Sequence, residues 1–187
     1  MNEEVKWPSI KNSKNEEIEG WFDFFLLYDE MVNKFDKATF IEIGTWKGRS
    51  TVYMARKIKE SGKDIKLYAN DIFGPYMSDG KQEDSTDIYD EFIENIEPYK
   101  SIVRPIKGDS SIAARQFKDK SVDFIFIDGG HDYEVVLKDI QSWYPKLKDG
   151  GVFGGHDWGW EGVMKAVNEY FGDSFNLRGQ TWLINYK

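Results

Sequence analysis

Acidic side chains and both histidines of the chain stand where predicted strands end. They are Asp71, Asp109, Asp128 with His131, and His156 with Asp157, which follow the second, third, fourth and fifth predicted strands in turn. In an open parallel sheet the carboxyl ends of the strands meet at one edge, where ligands bind. A single aspartate there is ordinary, because aspartate caps helices. The convergence of the whole set predicts a binding or catalytic site at that edge.

A strand, a glycine turn and a helix are predicted from FIEIGTWKGRS at residues 40–50. Gly44 ends the strand, and Gly48 lets the helix begin close to it, which places backbone N–H groups at the same edge of the sheet. Glu42 is a carboxylate inside an otherwise apolar strand, and a buried carboxylate needs a partner. We expect that partner to be the positive charge of a bound cofactor.

The turn departs from the dinucleotide-binding pattern G-x-G-x-x-G, because Trp46 stands in place of the middle glycine. Trp46 argues against a closely bound pyrophosphate, so we predict a ligand without phosphates. Asp71 is suited to accept hydrogen bonds from ribose hydroxyls, or it is a turn or cap residue. Asp109 and Ser110 could contact an adenine edge or begin the next helix, and the two roles are compatible.

Strands alternate with helices along the chain, which indicates a parallel α/β sheet with helices on both faces. Strands are predicted at 38–43, 65–70, 102–106, 122–127 and 152–155, and helices at 48–60, 85–99, 110–117, 132–144 and 160–171. Pro105 indicates an edge or distorted strand. The tail SFNLRGQTWLINYK predicts a hairpin around residues 178–180, which would add an antiparallel strand at one edge.

Two segments do not belong to this alternation of strands and helices, the N-terminal 35 residues and the loop at 72–84. Residues 1–15 are expected to be a loose leader, and residues 16–35 an amphipathic helix with apolar residues three and four positions apart from Ile18 to Phe35. The aromatic face of that helix would pack on the sheet, close a pocket or meet another subunit. The loop at 72–84 is punctuated by glycine and proline, and its length is typical of a lid or binding loop.

Length and composition exclude several classes of protein. The chain has 187 residues, which predicts one domain over 1–187, with a leader and aromatic helix at 1–37 and a core at 38–187. Its net charge of −8 argues against nucleic acid as the main partner. It has no cysteine, so disulfides and thiol chemistry are excluded. Without an apolar signal segment or membrane span, we expect a cytoplasmic protein.

The chain resembles class I S-adenosylmethionine-dependent methyltransferases. It is most similar to the small branch that includes cephalosporin-hydroxylase-like and macrolide-sugar O-methyltransferases. The resemblance spans residues 38–170 and is carried by FIEIGTWKGRST, YANDIFG, KGDSS, VDFIFIDGGHDYEVVLKDIQSWYPKLKDGGVFGGHDW and EGVMKAV. It implies a Rossmann-like, seven-stranded, mostly parallel sheet that ends in an antiparallel hairpin.

The resemblance also implies the contacts of the methyl donor. Glu42, Gly44 and Gly48 would line its methionine part, Asp71 would hold the ribose, and Asp109 with Ser110 would hold the adenine. The full predicted cofactor set adds Thr45, Trp46, Ser50 and Asp128. An acidic surround suits this cofactor, because its amino group and sulfonium are cationic. Many methyltransferases have glycine at the position of Trp46, which leaves the local loop conformation open.

Relatives in this branch bind a divalent metal, and the resemblance places its ligands at Asp128, His156 and Asp157. The metal holds the acceptor oxygen and lowers its pKa. Carboxylates suit Mg²⁺, whereas the imidazole of His156 would tolerate Mn, Fe or Zn better. The alternative is that Asp128 caps a turn and that His156 and Asp157 bind loop backbone.

His131, close to Asp128 in the sequence, is the candidate general base for a substrate hydroxyl, with Asp128 as a second catalytic residue. His131 could instead orient the start of a helix or stack in the pocket. The prediction is methyl transfer to an oxygen of a small molecule, such as a sugar or polyol-like hydroxyl, by a protein that could form a homo-oligomer. Two alternatives stay open: a cofactor-binding subunit without catalysis, and a different enzyme on the same fold, such as one using NAD or a nucleotide-sugar.

Overall fold

The computed structural model describes residues 7–75, 77–78, 81–82 and 87–184. The strands in these ranges are β1 Lys37–Ile43, β2 Asp64–Asp71, β3 Met77–Ser78, β4 Lys81–Gln82, β5 Val103–Lys107, β6 Val122–Ile127, β7 Leu147–Gly155, β8 Asn176–Arg178 and β9 Thr181–Ile184. The helices are α1 Phe25–Lys34, α2 Arg49–Ser61, α3 Tyr89–Ile96, α4 Ser110–Ala113, α5 Tyr133–Trp143 and α6 Glu161–Phe171. Short 3₁₀ segments follow three of them, at Glu97–Tyr99, Ala114–Gln116 and Tyr144–Lys146.

Seven of the strands form one sheet in the order β5-β2-β1-β6-β7-β9-β8. The first five pair in parallel, and β9 pairs antiparallel with both β7 and β8. The predicted Rossmann-like α/β sheet with a final antiparallel hairpin is therefore confirmed. The strand β5, which contains Pro105, lies at the edge of the sheet as predicted, where its missing N–H breaks no interior ladder.

Alternate side chains of the central strands fill two separate cores, one on each face of the sheet. Phe40, Phe124 and Phe126 belong to the core that packs under α1, α2 and α3, whereas Ile41 and Ile125 belong to the one under α5 and α6. Every residue of β6 is buried, which explains why its sequence is apolar apart from Asp123. The prediction of helices on both faces is confirmed.

The N-terminal part of the chain differs from the prediction. The helix predicted at 16–35 begins only at Phe25, because Gly20 has a φ of +136°, which no α-helix accommodates. Burial alternates from Trp21 to Phe24, so this stretch is extended rather than helical. Part of the predicted loose leader is also held in place, since Ile10 is buried in the core and Lys11 bridges to Glu17.

Other element boundaries need smaller corrections. The strand predicted at 152–155 begins earlier, at Leu147, and the helix predicted at 85–99 starts at Tyr89. The predicted loop at 72–84 contains the antiparallel pair of β3 and β4. Parts of three predicted segments lie outside the described residues: 76, 79–80 and 83–84 of that loop, 85–86 of the predicted helix, and 1–6 of the leader. Among the described helices, none combines the length and the apolar character that crossing a membrane requires.

Candidate active site

The loop between β1 and α2 touches the loop after β6 through backbone atoms. Gly44 has a φ of +82°, and its N–H donates to the carbonyl oxygen of Asn70 at 2.9 Å. A Cβ at this position would lie 2.2 Å from the carbonyl oxygen of Asp128, so the contact requires glycine. Gly48, with a φ of +88°, donates its N–H to the carbonyl oxygen of Thr45 at 2.7 Å and leads into α2. The predicted strand, turn and helix are all present.

Asp71 anchors the tip of this loop. Its Oδ2 accepts the N–H groups of Thr45 and Trp46, each at 2.8 Å, and its Oδ1 accepts the N–H of Phe73 at 2.8 Å. Trp46 has a φ of +44°, in the left-handed region that glycine usually occupies. The loop therefore keeps a glycine-like backbone although the residue is tryptophan. A contact between Asp71 and ribose hydroxyls stays a prediction.

The carboxylate of Glu42 is fully buried beneath the loop and has protein partners. Tyr28 Oη donates to it at 2.8 Å, and Thr51 Oγ1 donates at 2.5 Å. Burial raises the pKa of Glu42, and the hydroxyls of Ser50, Thr51 and Tyr28 oppose this shift. The structure thus gives this carboxylate two hydroxyl partners from the protein itself, which the sequence did not predict. A role of Glu42 in cofactor binding stays a prediction. Glu42 would then act through its charge and not through direct contact.

Asp109 and Ser110 begin α4 and also bind α5. Asp109 accepts the N–H of Ile112 at 3.2 Å and the Nζ of Lys138 at 2.9 Å, and the bond from Lys138 does most to lower its pKa to about 2. Ser110 Oγ donates to Asp139, and burial raises the pKa of the Asp139 carboxyl to about 6. The helix-cap role of Asp109 is confirmed, and the adenine contact stays a prediction.

Asp128, His156 and Asp157 gather at the ends of β6 and β7. Each offers one ligand atom that lies within 4.8 Å of the other two. His156 Nδ1 is 3.6 Å from Asp128 Oδ1 and 3.2 Å from Asp157 Oδ1. Asp157 has a φ of +61°, a conformation that aspartate tolerates better than most residues. The structure thus brings the whole predicted ligand set together.

The electrostatics of this group suit a bound cation. Burial raises the pKa of Asp128 to about 8; the charge of His156 opposes this shift, and the charges of Asp157 and Glu42 add to it. Burial also opposes ionisation of Asp157, but hydrogen bonds from His131 and His156 hold its pKa below the usual range. Two carboxyl groups this close need a proton or a cation between them. Two carboxylate oxygens and one imidazole nitrogen are a donor set that fits a divalent metal.

His131 is oriented by two neighbours. Its Nε2 lies 2.9 Å from Asp157 Oδ2, and its ring stacks on Trp160 with centroids 4.6 Å apart and planes 10° apart. The hydrogen bond with Asp157 raises the pKa of His131. Because an ionised carboxylate can only accept, Nε2 carries the proton, and Nδ1 is the nitrogen that can take another. Both the base role and the stacking alternative fit this geometry.

A cleft of about 290 Å³ joins the glycine loop to the Asp128, His156 and Asp157 group. Predicted residues in its wall include Gly44, Thr45, Trp46, Ser50 and His131. Trp160 also lines it, whereas Trp158 packs on Phe175 with ring centroids 4.9 Å apart.

Residues 18–24, here called the N-terminal segment, reach the cleft. Closing a pocket was one alternative for the aromatic face that includes Trp21, whereas Glu19, Gly20 and Asp23 were not predicted to lie there. Glu19, Gly20 and Trp21 line the cleft, and Asp23 Oδ1 lies 2.9 Å from His156 Nε2. The sequence signal that could have found them is the lone carboxylate in the aromatic run GWFDFF.

An unpartnered polar atom supports a cofactor in this cleft. Thr45 Oγ1 is buried and has no hydrogen-bond partner among the residues that the structure describes. A buried hydroxyl in such a position indicates a ligand or water as its partner. The residues present therefore fit both a polar cofactor and, at the Asp128 group, a divalent metal.

Comparisons with known proteins agree with this fold. A protein of Acanthamoeba polyphaga mimivirus is 28% identical over 155 residues, which cover 80% of this chain and 67% of the viral protein. The O-methyltransferase NovP superposes with a TM-score of 0.68 at 17% identity, over 86% of this chain and 78% of NovP. MycE, a methyltransferase of mycinamycin biosynthesis solved with Mg, S-adenosylhomocysteine (SAH) and mycinamycin VI, gives a TM-score of 0.56 at 15% identity, over 86% and 48% of the two chains.

The sequence model of the family described as "Methyltransferase domain" matches residues 41–158, which run from the first strand of the sheet to the end of the Asp128, His156 and Asp157 group. The match covers more than half of the chain. The chain therefore belongs to the methyltransferase-domain family, with the fold of the class I S-adenosylmethionine-dependent enzymes.

Proposed function

We propose that this protein transfers a methyl group from S-adenosylmethionine to an oxygen of a small molecule, with the help of a divalent metal. The observation that carries the proposal is the single cleft shared by the glycine loop and the Asp128, His156 and Asp157 group. In such a cleft the donor and the acceptor would be held side by side, and positioning of this kind supplies much of a rate enhancement.

The donor half of the cleft is formed by the loop after β1. Thr45 Oγ1 and Ser50, both in the lining of the cleft, would hydrogen-bond the methionine part. Asp71 and Asp109, which are not part of that lining, would lie along the nucleoside. S-adenosylmethionine, when bound, supplies a methyl group on a cationic sulfur. The buried carboxylate of Glu42 would favour that positive charge from beneath the loop.

The acceptor half would be organised by Asp128, His156 and Asp157. These residues would hold the divalent metal, whose charge lowers the pKa of a coordinated hydroxyl. His131 would accept the hydroxyl proton at Nδ1, because its Nε2–H is held by Asp157 Oδ2 at 2.9 Å. The stacked ring of Trp160 keeps the imidazole in this orientation.

The acceptor itself would be a sugar or polyol-like molecule. Three tryptophans line the cleft with much of their surface exposed: Trp21 at 67%, Trp46 at 43% and Trp160 at 52%. Exposed indole rings beside hydrogen-bonding groups suit a ligand with one apolar and one polar face. The resemblance to macrolide-sugar O-methyltransferases supports the same acceptor class. A small-molecule partner, a homo-oligomeric state and a cytoplasmic location stay predictions.

Calorimetry and a labelled-methyl assay test this proposal. The purified protein should bind SAH but not NAD, and with Mn²⁺ or Mg²⁺ it should move labelled methyl from S-adenosylmethionine to members of a panel of sugars, nucleotide-sugars and polyols. Tighter binding of NAD than of SAH would favour a different enzyme on this fold. Binding of SAH without methyl transfer to any acceptor or metal in the panel would favour a catalytically silent subunit.

A further inference from the structure

One carboxylate of the N-terminal segment, that of Asp23, contacts a histidine of the candidate metal site. Asp23 Oδ1 lies 2.9 Å from His156 Nε2, across 133 positions of sequence. On the other side of the same ring, Nδ1 faces Asp128 and Asp157. His156 therefore lies between one carboxylate of the N-terminal segment and the two carboxylates of the predicted ligand set.

The direction of this hydrogen bond determines which nitrogen of the His156 ring carries a proton. An ionised carboxylate can only accept, so His156 Nε2 carries a proton and donates it to Asp23. A histidine that binds a metal is neutral, so its lone pair is then on Nδ1, the atom that faces Asp128 and Asp157. The hydrogen bond from Nδ1 to Asp157 belongs to the protonated ring of the metal-free site. A metal-binding histidine commonly donates its other N–H to a carboxylate in this way.

The position of Asp23 is set by well-packed neighbours. Phe22 and Phe24, on either side of it, are buried in the core, and the ring of Phe24 lies 4.9 Å from the imidazole of His156. Arg49 at the start of α2 holds the segment from its other end, donating to the carbonyl oxygen of Ile18 at 2.5 Å. Asp23 is therefore placed by the fold, and its side chain is not a mobile surface group.

We propose that Asp23 is a positioning residue for the metal, which holds His156 with Nδ1 directed at the metal between Asp128 and Asp157. The proposal rests on the metal-assisted function above and extends it. The N-terminal segment becomes part of the active site, because it lines the cleft with Trp21 and orients a metal ligand with Asp23.

Metal affinity and the His156 tautomer provide the test. Mn²⁺ binding is measured by calorimetry for the wild type, Asp23→Ala, Asp23→Asn and the control Glu16→Gln, an exposed carboxyl residue upstream of the segment. Asp23→Ala should weaken Mn²⁺ binding by about 10- to 100-fold, Asp23→Asn by less because its amide oxygen still accepts, and Glu16→Gln should leave it unchanged. In the metal-free protein, at a pH high enough for the ring to be neutral, ¹⁵N NMR of His156 should show the proton on Nε2 in the wild type and a loss of this preference in Asp23→Ala.

Each outcome bears on a distinct claim. SAH affinity should stay within about twofold of the wild type in both Asp23 variants, because Asp23 does not line the donor half. Unchanged Mn²⁺ affinity and an unchanged His156 spectrum in Asp23→Ala would overturn the inference and leave the proposed function standing. An equal loss of Mn²⁺ and SAH affinity would show general damage to the fold, which also contradicts it. A wild type that binds no Mn²⁺ would refute the metal site itself.

Discussion

Trp46 donates its N–H to Asp71 Oδ2 at 2.8 Å while its backbone stays in the left-handed region at a φ of +44°. A bulky residue in this region is strained, so the surrounding structure must determine its conformation. Asp71 supplies that restraint, because the same oxygen also holds Thr45 N–H. The tip of the donor loop thus depends on one carboxylate from the neighbouring strand.

Replacement of Asp71 should therefore weaken donor binding. Asp71→Ala leaves three backbone N–H groups without their acceptor, which we expect to cost about 1–3 kcal/mol and to lower SAH affinity by about 10- to 100-fold in calorimetry. Asp64→Ala, at the opposite end of β2 and paired with exposed Lys37, is the matched control. Equal SAH affinity in Asp71→Ala and the wild type would contradict both the anchoring and the ribose assignment.

The close contact at Gly44 gives a second prediction. Gly44→Ala would combine a positive φ with a Cβ 2.2 Å from the carbonyl oxygen of Asp128, so we expect it to destabilise the protein by more than about 3 kcal/mol in urea unfolding. Gly150 has nearly the same φ, +81°, and a Cβ added there would meet no atom within 4 Å. Gly150→Ala should cost only about 1–2 kcal/mol. Equal losses of stability in the two variants would show that the close approach of Gly44 to Asp128 does not matter for folding.

Metal dependence should reflect the imidazole in the ligand set. A chelator should abolish methyl transfer, and Mn²⁺ should restore it at lower concentration than Mg²⁺, because His156 contributes nitrogen where Mg²⁺ prefers oxygen. Asp157→Ala should remove both the activity and the metal response. The measurement is the initial rate as a function of each metal. Full activity in excess chelator would eliminate the metal role.

Asp139 should make stability depend on pH. Its folded-state pKa is raised to about 6 from an ordinary value of 3.8, so the folded state holds its proton more tightly than the unfolded chain does. The stabilisation that this protonated carboxyl gives to the folded state is fully present below pH 3.8 and is lost as the pH rises through 6. Asp139→Asn should therefore be more stable than the wild type at pH 7 by about 1–3 kcal/mol, with little difference at about pH 3.5. Thermal unfolding at the two pH values measures this, and a difference that grows toward low pH would have the wrong sign.

Trp160 should contribute to acceptor binding. Trp160→Ala removes both the exposed wall of the cleft and the ring that stacks on His131, so KM for the acceptor should rise about tenfold and kcat should fall. Trp160→Phe keeps a ring face and should recover most of the affinity. SAH binding should not change in either variant. If KM is unaffected in Trp160→Ala, the acceptor binds elsewhere.

The sequence allowed the sheet and its functional edge to be predicted, because parallel topology alone brings strand ends together. Asp128, His156 and Asp157 follow buried strands, and the order of β6 and β7 makes them neighbours. The turn at Gly44 is likewise a local pattern of glycines between a strand and a helix. Such features depend on residues close in sequence or on the general geometry of α/β sheets.

The N-terminal segment could not be predicted in this way. The spacing of its aromatic residues fits a helix. In the structure Gly20 has a positive φ, and Arg49 donates hydrogen bonds to the backbone of Pro8 and Ile18. Spacing alone reveals neither of these features. The protein partners of Glu42 were missed for the same reason, because Tyr28 comes from α1 and Thr51 from α2. Periodicity describes one element and contains no information about which hydroxyl lies above a strand.

The backbone contact of Gly44 with the loop of Asp128 ties the two half-sites to each other without any side chain between them. The reach from a methyl donor to an acceptor oxygen would then be set by main-chain atoms of adjacent strands. Two of the three tryptophans that would contact the acceptor come from other parts of the chain, Trp21 before α1 and Trp160 before α6. Substitutions at those two positions could therefore change the shape of the acceptor cleft while the distance over which the methyl group is transferred stays constant.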